Sequence, residues 1–266
     1  MVVYAGQGDA ARSMALLWRA AGSGEVRTGP GPKPGLTVDL IVDAAIAVAD
    51  EDGMPGLSMR AVGERLGRTA MALYTYVPSK SELIDLMHDH ALAELPGDYD
   101  LARGWRAAVR AWAQDQWEFY LRHPWVLQVS QARPVLGPHE YDMLDNLLRI
   151  LFETGLESKI LRRLVGTLVG FVRGAVQVVA ESRQAPDETG VTDDEWWYAR
   201  SALLKEVSPD FAERFPNVVK LDSDRAFEVM DETVPYLERE ARETFASGMT
   251  VILDGIEATI ERSIPG

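Results

Sequence analysis

The sequence predicts an all-α fold in two parts: a small three-helix domain containing a helix-turn-helix, and behind it a larger helical bundle. Three observations predict it. Apolar residues recur at helical spacing along nearly the whole chain, and outside those patterns no stretch of five or more residues alternates with period two. The interruptions are glycines and prolines, which mark helix ends. Three short helical segments crowd into about 40 residues near the N-terminus, ahead of much longer ones. The divisions are 1–36, a short helix and a Gly/Pro linker; 37–96, the helix-turn-helix domain with its linking fourth helix; and 97–266, a second domain.

Composition narrows the class. The chain has 266 residues, 47% of them hydrophobic, enough for a real core. It has no cysteine, which excludes disulfides and thiolate metal sites and suits a reducing cytoplasm. The longest apolar run, Leu164–Ala180, is broken by Gly166, Gly170, Arg173, Gly174 and Gln177, so no uninterrupted membrane span is expected. The start, Met1-Val2-Val3-Tyr4, lacks the basic and apolar regions of a secretory signal. The net charge of −14 opposes adsorption of the whole protein to nucleic acid. Between Met54 and Lys80, however, the charges are Arg60, Arg65, Arg68 and Lys80 against Glu64 alone, a local positive island.

Along the chain, Asp9–Ala21 suits a short amphipathic helix carrying Met14, Leu17 and Trp18 on one face. Gly22–Gly35 reads as linker. Thr37 is an N-cap, and Ile41, Ala44, Ala45 and Val48 mark one buried face of a helix that Gly53 stops. Ser58 caps the next helix, where Met59, Val62, Gly63 and Leu66 repeat the spacing until Gly67. A third helix covers Thr69–Val77, and Ser79-Lys80-Ser81-Glu82 is a capping box opening a fourth that runs toward Leu95. Beyond Leu101 the pattern is helical, with breaks at His123-Pro124, Pro134–Pro138, Gly155, Ala185–Gly190, Ser208-Pro209 and Phe215-Pro216.

The second and third helices, joined tightly at Gly67-Arg68, form the helix-turn-helix candidate. In the third, Ala70, Leu73 and Val77 share an inward face, while Met71, Ala72, Thr75 and Tyr76 point the other way. Such a face is unusual for a solvated helix and suits one that enters a major groove, where methyl groups and hydroxyls meet base edges.

The stretch from Thr37 to Leu95 resembles the DNA-binding domain of the TetR family of bacterial repressors. The residues that carry the resemblance are Ile41-Val42-Asp43-Ala44-Ala45, Asp52-Gly53, Leu57 to Val62, Leu66-Gly67, Leu73-Tyr74, Tyr76-Val77, Lys80 and Glu82-Leu83. Arg12 to Trp18 is similar to the leader of an actinobacterial-type branch. The resemblance implies a homodimeric repressor on a palindromic double-stranded operator, released by a small-molecule effector, with no cofactor and no membrane. It puts Arg60 and the outer face of the third helix on bases, and Tyr74, Lys80, Thr37 and Ser58 on phosphates. Thr69, at the start of that helix, joins the set. Arg68 departs from the family, which usually has a small apolar residue there. Either its stem covers the core edge and its head adds a phosphate contact, the favoured reading, or the turn is altered. Arg65, near Glu64, reads as a solvated charge; Arg27 and Lys33 read as linker charges, with a minor-groove arm as the alternative.

In the second domain, Trp105, Trp112 and Phe119 share a face at sevenfold spacing and read as core. Trp117 and Trp125 flank the His123-Pro124 junction with Gln116 and Gln128 nearby, a mixture that suits either a core or a pocket. The helix from Glu157 to Gln184 is apolar on nearly every side and must be covered all round. It carries Phe171, Arg173 and Gln177. A buried arginine needs a partner, either an acid across a subunit interface or an anionic ligand group. The candidate ligand-binding residues are therefore Trp112, Gln116, Trp117, Trp125, Gln128, Phe171, Arg173 and Gln177. The stripe Gly166, Gly170, Gly174 permits close helix approach and, with Phe245, Met249, Ile252 and Ile256 of the last helix, is the candidate dimer interface; an intramolecular bundle would leave the same pattern.

An enzyme is the main alternative. The histidines are His88, His90, His123 and His139; His88 and His90 face different directions on a helix, and no HExxH, GxSxG or phosphate-binding glycine loop occurs. Asp193-Asp194-Glu195 is explained as a helix start. No catalytic or metal constellation is found, and an interaction module without DNA binding would not need Arg60, Tyr74 and Lys80 together.

Overall fold

The computed structural model of the chain describes residues 3–19, 35–224 and 235–263. Nearly all of the expected linker, with Arg27 and Lys33, lies outside the described residues. The chain forms two compact units: residues 1–173 with 253–266, and residues 174–252.

In the first unit, α1 (Ala10–Leu17) starts at Asp9, whose carboxylate accepts the Arg12 N–H at 2.9 Å. α2 (Val38–Gly56) starts at Thr37 and loses helical geometry at Gly53, where φ is 68°. Glycine reaches that conformation without a Cβ clash, so the regular helix stops where the sequence predicts. α3 (Met59–Leu66), α4 (Ala70–Tyr74) and α5 (Lys80–Leu92) follow. Ile41, Ala45, Val62, Leu73, Val77 and Leu83 are fully buried and form the core of this head. α6 (Trp105–Arg122) ends at His123-Pro124 in a 3₁₀ turn over Pro124–Gln128, and α7 (Pro138–Phe152) packs on both α5 and α6. This unit spans the expected boundary at residue 97, because α2 packs on the 3₁₀ turn and α5 on α7.

Two features depart from expectation here. Val3–Tyr4 pairs in parallel with Val129–Ser130 as a two-residue strand pair, β1 and β2, in an otherwise helical unit. α8 (Ser158–Thr189) runs through the break expected at 185–190, with Pro186 inside the helix, and chain reversal waits for Gly190 at φ 72°. By length and composition α8 is apolar enough to cross a membrane, its richest window averaging a hydropathy of 1.4; the interruptions at Gly166 to Gln177 do not bring it below that level.

The second unit holds the rest of α8, α9 (Asp193–Val207), α10 (Phe211–Arg214), α11 (Pro216–Ser223) and most of α12 (Tyr236–Ser263). α9 opens, at the expected helix start, with a capping box in which Thr192 and Glu195 each bond the other's backbone. Arg183 of α8 makes a bidentate pair with Glu238 of α12.

Candidate nucleic-acid interface

Each helix of the head begins with a hydroxyl cap. Thr37, Ser58 and Thr69 accept the N–H groups of Leu40, Ala61 and Ala72. Each hydroxyl thus holds a helix start while its own hydrogen stays available to a phosphate oxygen. The turn between α3 and α4 is set by two glycines. Gly67 adopts φ 64°, and Arg68 donates its N–H to the Gly63 carbonyl at 2.8 Å. A Cβ on Gly63 would meet the Arg68 carbonyl oxygen at 2.8 Å, so a side chain there would push the two helices apart.

α4 is presented as the sequence predicts. Leu73 and Val77 are fully buried, Ala70 half-buried, and Met71, 75% exposed, touches solvent with most of its surface. Thr75, Tyr74 and Tyr76 are exposed beside it, and Ala72 is half-buried. Arg68 is also exposed, so its head is on the surface rather than in the turn's core.

The charges are arranged differently from expectation. Arg60, not Arg65, takes Glu64: its Nε lies 2.7 Å from the carboxylate in an exposed i,i+4 pair. Arg65 instead forks onto Glu51 of α2 at 2.6 and 2.8 Å, which ties α3 to α2. Lys80 donates to the Leu57 carbonyl at 2.6 Å, so its stem is fixed while the exposed ammonium keeps two further donors.

Behind the head, α5 carries three buried acids, Glu82, Asp85 and Asp89, at the i, i+3, i+7 spacing of one helix face. Among the described residues none pairs with a lysine or arginine; each accepts a backbone N–H from a segment remote in sequence, and Asp89 also contacts the His139 ring at 2.9 Å. Glu82 takes Asp9, Asp85 takes Gly6 at 3.0 Å, and Asp89 takes Glu140 at 3.0 Å, capping α7, whose Gly137 start has no capping side chain. The box expected at Ser79–Glu82 is half formed: Ser79 accepts the Ser81 and Glu82 N–H groups, but Glu82 turns to Asp9 and the Ser79 hydroxyl. Burial raises the Asp85 carboxyl to about 6.

A second joint links α2, α5 and α6. The buried His123 ring contacts Asp50 at 2.8 Å and Glu94 at 3.1 Å, and Trp125 Nε1 donates to the same Asp50 oxygen at 2.8 Å. Burial works to lower the His123 pKa, but the two carboxylates outweigh it and leave it raised.

The expected ligand cluster is redistributed. A small cavity of about 30 Å³ lies between α5, α6, α7 and the 129–135 segment, with His88, Tyr120, Arg133 and Glu140 among its lining. None of the eight candidate ligand residues lines it. Trp112, Gln116, Trp117 and Trp125 are buried in the same unit, and Gln177 is exposed and bonded to Glu181. Arg173 has neither expected partner: its guanidinium donates to the carbonyls of Val126, Leu127 and Val129 at 3.2, 2.6 and 2.8 Å and lies over the Tyr120 ring. It caps the 3₁₀ turn, whose orphan carbonyls no periodicity reveals. Burial lowers His88 to about 4, with Arg173 adding to the shift, so the ring is neutral near pH 7. Burial also raises Glu140, although Leu136 donates its N–H to that carboxylate at 2.6 Å.

The dimer candidates divide. Gly166, Gly170 and Gly174 are exposed with open space over each. Phe245, Met249 and Ile256 are buried within the protomer, and Ile252 is half-buried, so these α12 residues do not form an outer face as expected. The exposed positions include Thr244, Ser247, Val251 and Gly255, with Glu243, Ala246, Thr250 and Asp254 beside them.

A buried scaffold that presents one short helix, with hydroxyl caps and cations around it, defines a helix-turn-helix DNA-binding protein with a helical second domain. Comparison with known proteins makes the class specific. Residues 41–87 match the family described as bacterial regulatory proteins, tetR family, and residues 100–260 match the tetracyclin repressor-like C-terminal domain. The chain is 38% identical over 256 residues, 96% of its length and 88% of the relative's, to the HTH-type transcriptional repressor DrrR1 of Streptomyces coeruleorubidus. It is 27% identical over 167 residues to the class D tetracycline repressor of Escherichia coli, covering 60% of this chain and 74% of that one. Among solved structures, ActR of Streptomyces coelicolor in its apo form superposes with a TM-score of 0.65 at 20% identity, over 88% of this chain and all of that one. ActR in complex with actinorhodin gives 0.64 at 22%, over 84% and 96%. The chain belongs to the TetR family and is a helix-turn-helix transcriptional repressor rather than an enzyme.

Proposed function

We propose that the protein acts in the cytoplasm as a homodimer on an inverted-repeat operator and lets go when a small, largely apolar effector enters the first unit. The observation that carries the DNA half is the outer face of α4 and the turn after it, where Met71 is 75% exposed and Thr75 and Tyr76 are exposed beside it. In this reading Arg60, Met71, Ala72, Thr75 and Tyr76 face bases, and Thr37, Ser58, Arg68, Thr69, Tyr74 and Lys80 hold phosphates. Residues 37–96 read DNA, residues 97–266 bind the partner and, with His88 and Leu92 of α5 in the cavity wall, the effector, and residues 1–36 precede both.

The effector half rests on the cavity beside His88 and Tyr120. Trp112, Gln116 and Tyr120 follow one another every four residues along one face of α6. Among the described residues, Trp112 Nε1 and Gln116 Nε2 are buried with no hydrogen-bond acceptor. An effector extending from the cavity along this stripe would meet both donors, with apolar walls and few polar anchors. The solved ActR complexes hold (S)-DNPA and actinorhodin, and a ligand of that general size would need the cavity to open. For the dimer, the open glycine row of α8 and the exposed Thr244, Ser247, Val251 and Gly255 of α12 suit close approach to a second copy. That use accounts for an apolar α8 without a membrane.

The test is selection of bound duplexes from a random pool by the purified protein. The expected winner is an inverted repeat with half-site centres about 34–36 Å apart, or a multiple of that. Enrichment of no sequence, or of a lone half-site bound as tightly as the repeat, would overturn the reading.

A further inference from the structure

The segment before the head is not a loose leader. Residues 3–19 make four kinds of contact, each to a part that repression and release would have to move. β1 pairs with Val129–Ser130, both in the cavity wall, and Arg133 of that wall lies over the Tyr4 ring at 5.9 Å. Gly6 and Asp9 give their N–H groups to Asp85 and Glu82 of α5, the helix between the head and the cavity. Gly8 sits so close to Glu82 that a Cβ there would overlap the carboxylate. Trp18 donates to the Leu136 carbonyl at 2.9 Å and packs on Tyr141, and Arg19 forms an ion pair with Asp39 in the first turn of α2.

The size of the cavity gives these contacts a meaning. About 30 Å³ holds roughly one water, whereas ligand sites run to about 300 Å³ or more. Entry of anything larger requires a wall to move. α6 and α7 form a packed core around Phe119, Leu147 and Ile150. The irregular wall, residues 129–137, has little regular structure of its own, and the leader clips it at both ends, at Val129–Ser130 and at Leu136.

We propose that residues 3–19 are a latch: they hold the 129–137 wall shut and α5 in place together, so that opening the cavity and freeing the linking helix are one event. The latch rests on the reading of the cavity as the effector site for its purpose, but not for its existence. With β1 paired, the wall is closed and the acids of α5 are saturated. When β1 peels away, the wall can swing and Glu82 and Asp85 lose their backbone donors Asp9 and Gly6, which loosens α5 where it leaves the head.

The experiment compares three forms of the full protein by hydrogen exchange and by the rate at which 8-anilinonaphthalene-1-sulfonate enters. One form is wild type and one lacks residues 1–9. The third, Val3→Cys with Val129→Cys, carries the only cysteines in the chain. Parallel strand partners lie about 5 Å apart, within disulfide range, so oxidation should lock the latch. Truncation is expected to speed exchange in residues 129–137 and along α5 by at least about tenfold, and to speed dye entry similarly, while Leu147–Leu151 of α7 keep their protection. Oxidation of the double variant should slow both below wild type, and reduction should restore them, which keeps the idea testable if the truncated form folds poorly. Equal rates in the locked, reduced and wild-type forms would overturn the latch, as would loss of protection spread evenly over α6 and α7 on truncation. These readouts use no operator: a working latch whose dye-filled form still holds the selected duplex would leave the latch standing and remove the effector reading instead.

Discussion

Of the five residues of α4, Leu73 alone is buried, whereas nine of the thirteen in α5 are, three of them acids. The two helices are joined by a short turn, yet one offers its surface and the other is saturated with partners from four other segments. α4 holds its place through Leu73, the adjacent Val77 and the tight turn at Gly63, so Met71, Thr75 and Tyr76 are free for another molecule. α5 has no such freedom, because moving it would strip donors from Glu82, Asp85 and Asp89 at once. A reading surface needs few internal obligations, and a transmitting element needs many.

The comparison can be tested by substitution. The largest effect is expected where α4 does carry the fold: Leu73→Ala should lower unfolding free energy by about 2–5 kcal/mol in urea titration, since it leaves a cavity under the head. A loss below about 1 kcal/mol would mean the turn, not Leu73, anchors α4. Next, Asp89→Ala leaves the α7 start uncapped and should cost about 1–3 kcal/mol. Exchange should show the loss concentrated at His139–Tyr141, and an unchanged pattern there would contradict the capping role.

How far these contrasts were legible in the sequence depends on how local their causes are. The caps Thr37, Ser58 and Thr69 and the inward pair Leu73 and Val77 follow from spacing within a few residues, and all are where the pattern puts them. The acids at 82, 85 and 89 also show helical spacing, which was a usable signal of a buried polar face. Their donors, Gly6, Asp9 and Glu140, lie some 50 to 80 residues away and follow no period. The same limit explains Arg173, whose carbonyl partners sit in a 3₁₀ turn 44 to 47 residues earlier. It also explains α12: one face packs inside the protomer and the other is open, and apolar spacing alone favoured Phe245 and Met249 over the exposed residues opposite.

A smaller effect is expected at the His123 joint, which ties α2 to the end of α5. Its folded pKa is raised, so the stability it contributes is complete below about pH 6.5 and is lost as pH rises through the folded value. Asp85, raised to about 6, and His88, lowered to about 4, have their folded values below that window. Urea stability should therefore fall from about pH 6.5 upward in wild type and fall less steeply in His123→Gln. A slope that the substitution leaves unchanged would assign it elsewhere. The smallest stability effect belongs to Met71→Ala, within about 0.5 kcal/mol, even as affinity for the selected duplex drops. A stability loss of about 2 kcal/mol would show that this side chain has a packing duty after all.

Leu136 adopts φ 61°, the one non-glycine among the described residues at positive φ, with its carbonyl held by Trp18 and its N–H by Glu140. A left-handed leucine stores on the order of 1–2 kcal/mol. The segment that seals the cavity is thus spring-loaded: whatever releases Trp18 is helped by the backbone's return to an ordinary conformation, and resealing must compress it again. Opening should be quicker, and closing slower, than the same loop would manage with glycine at that position.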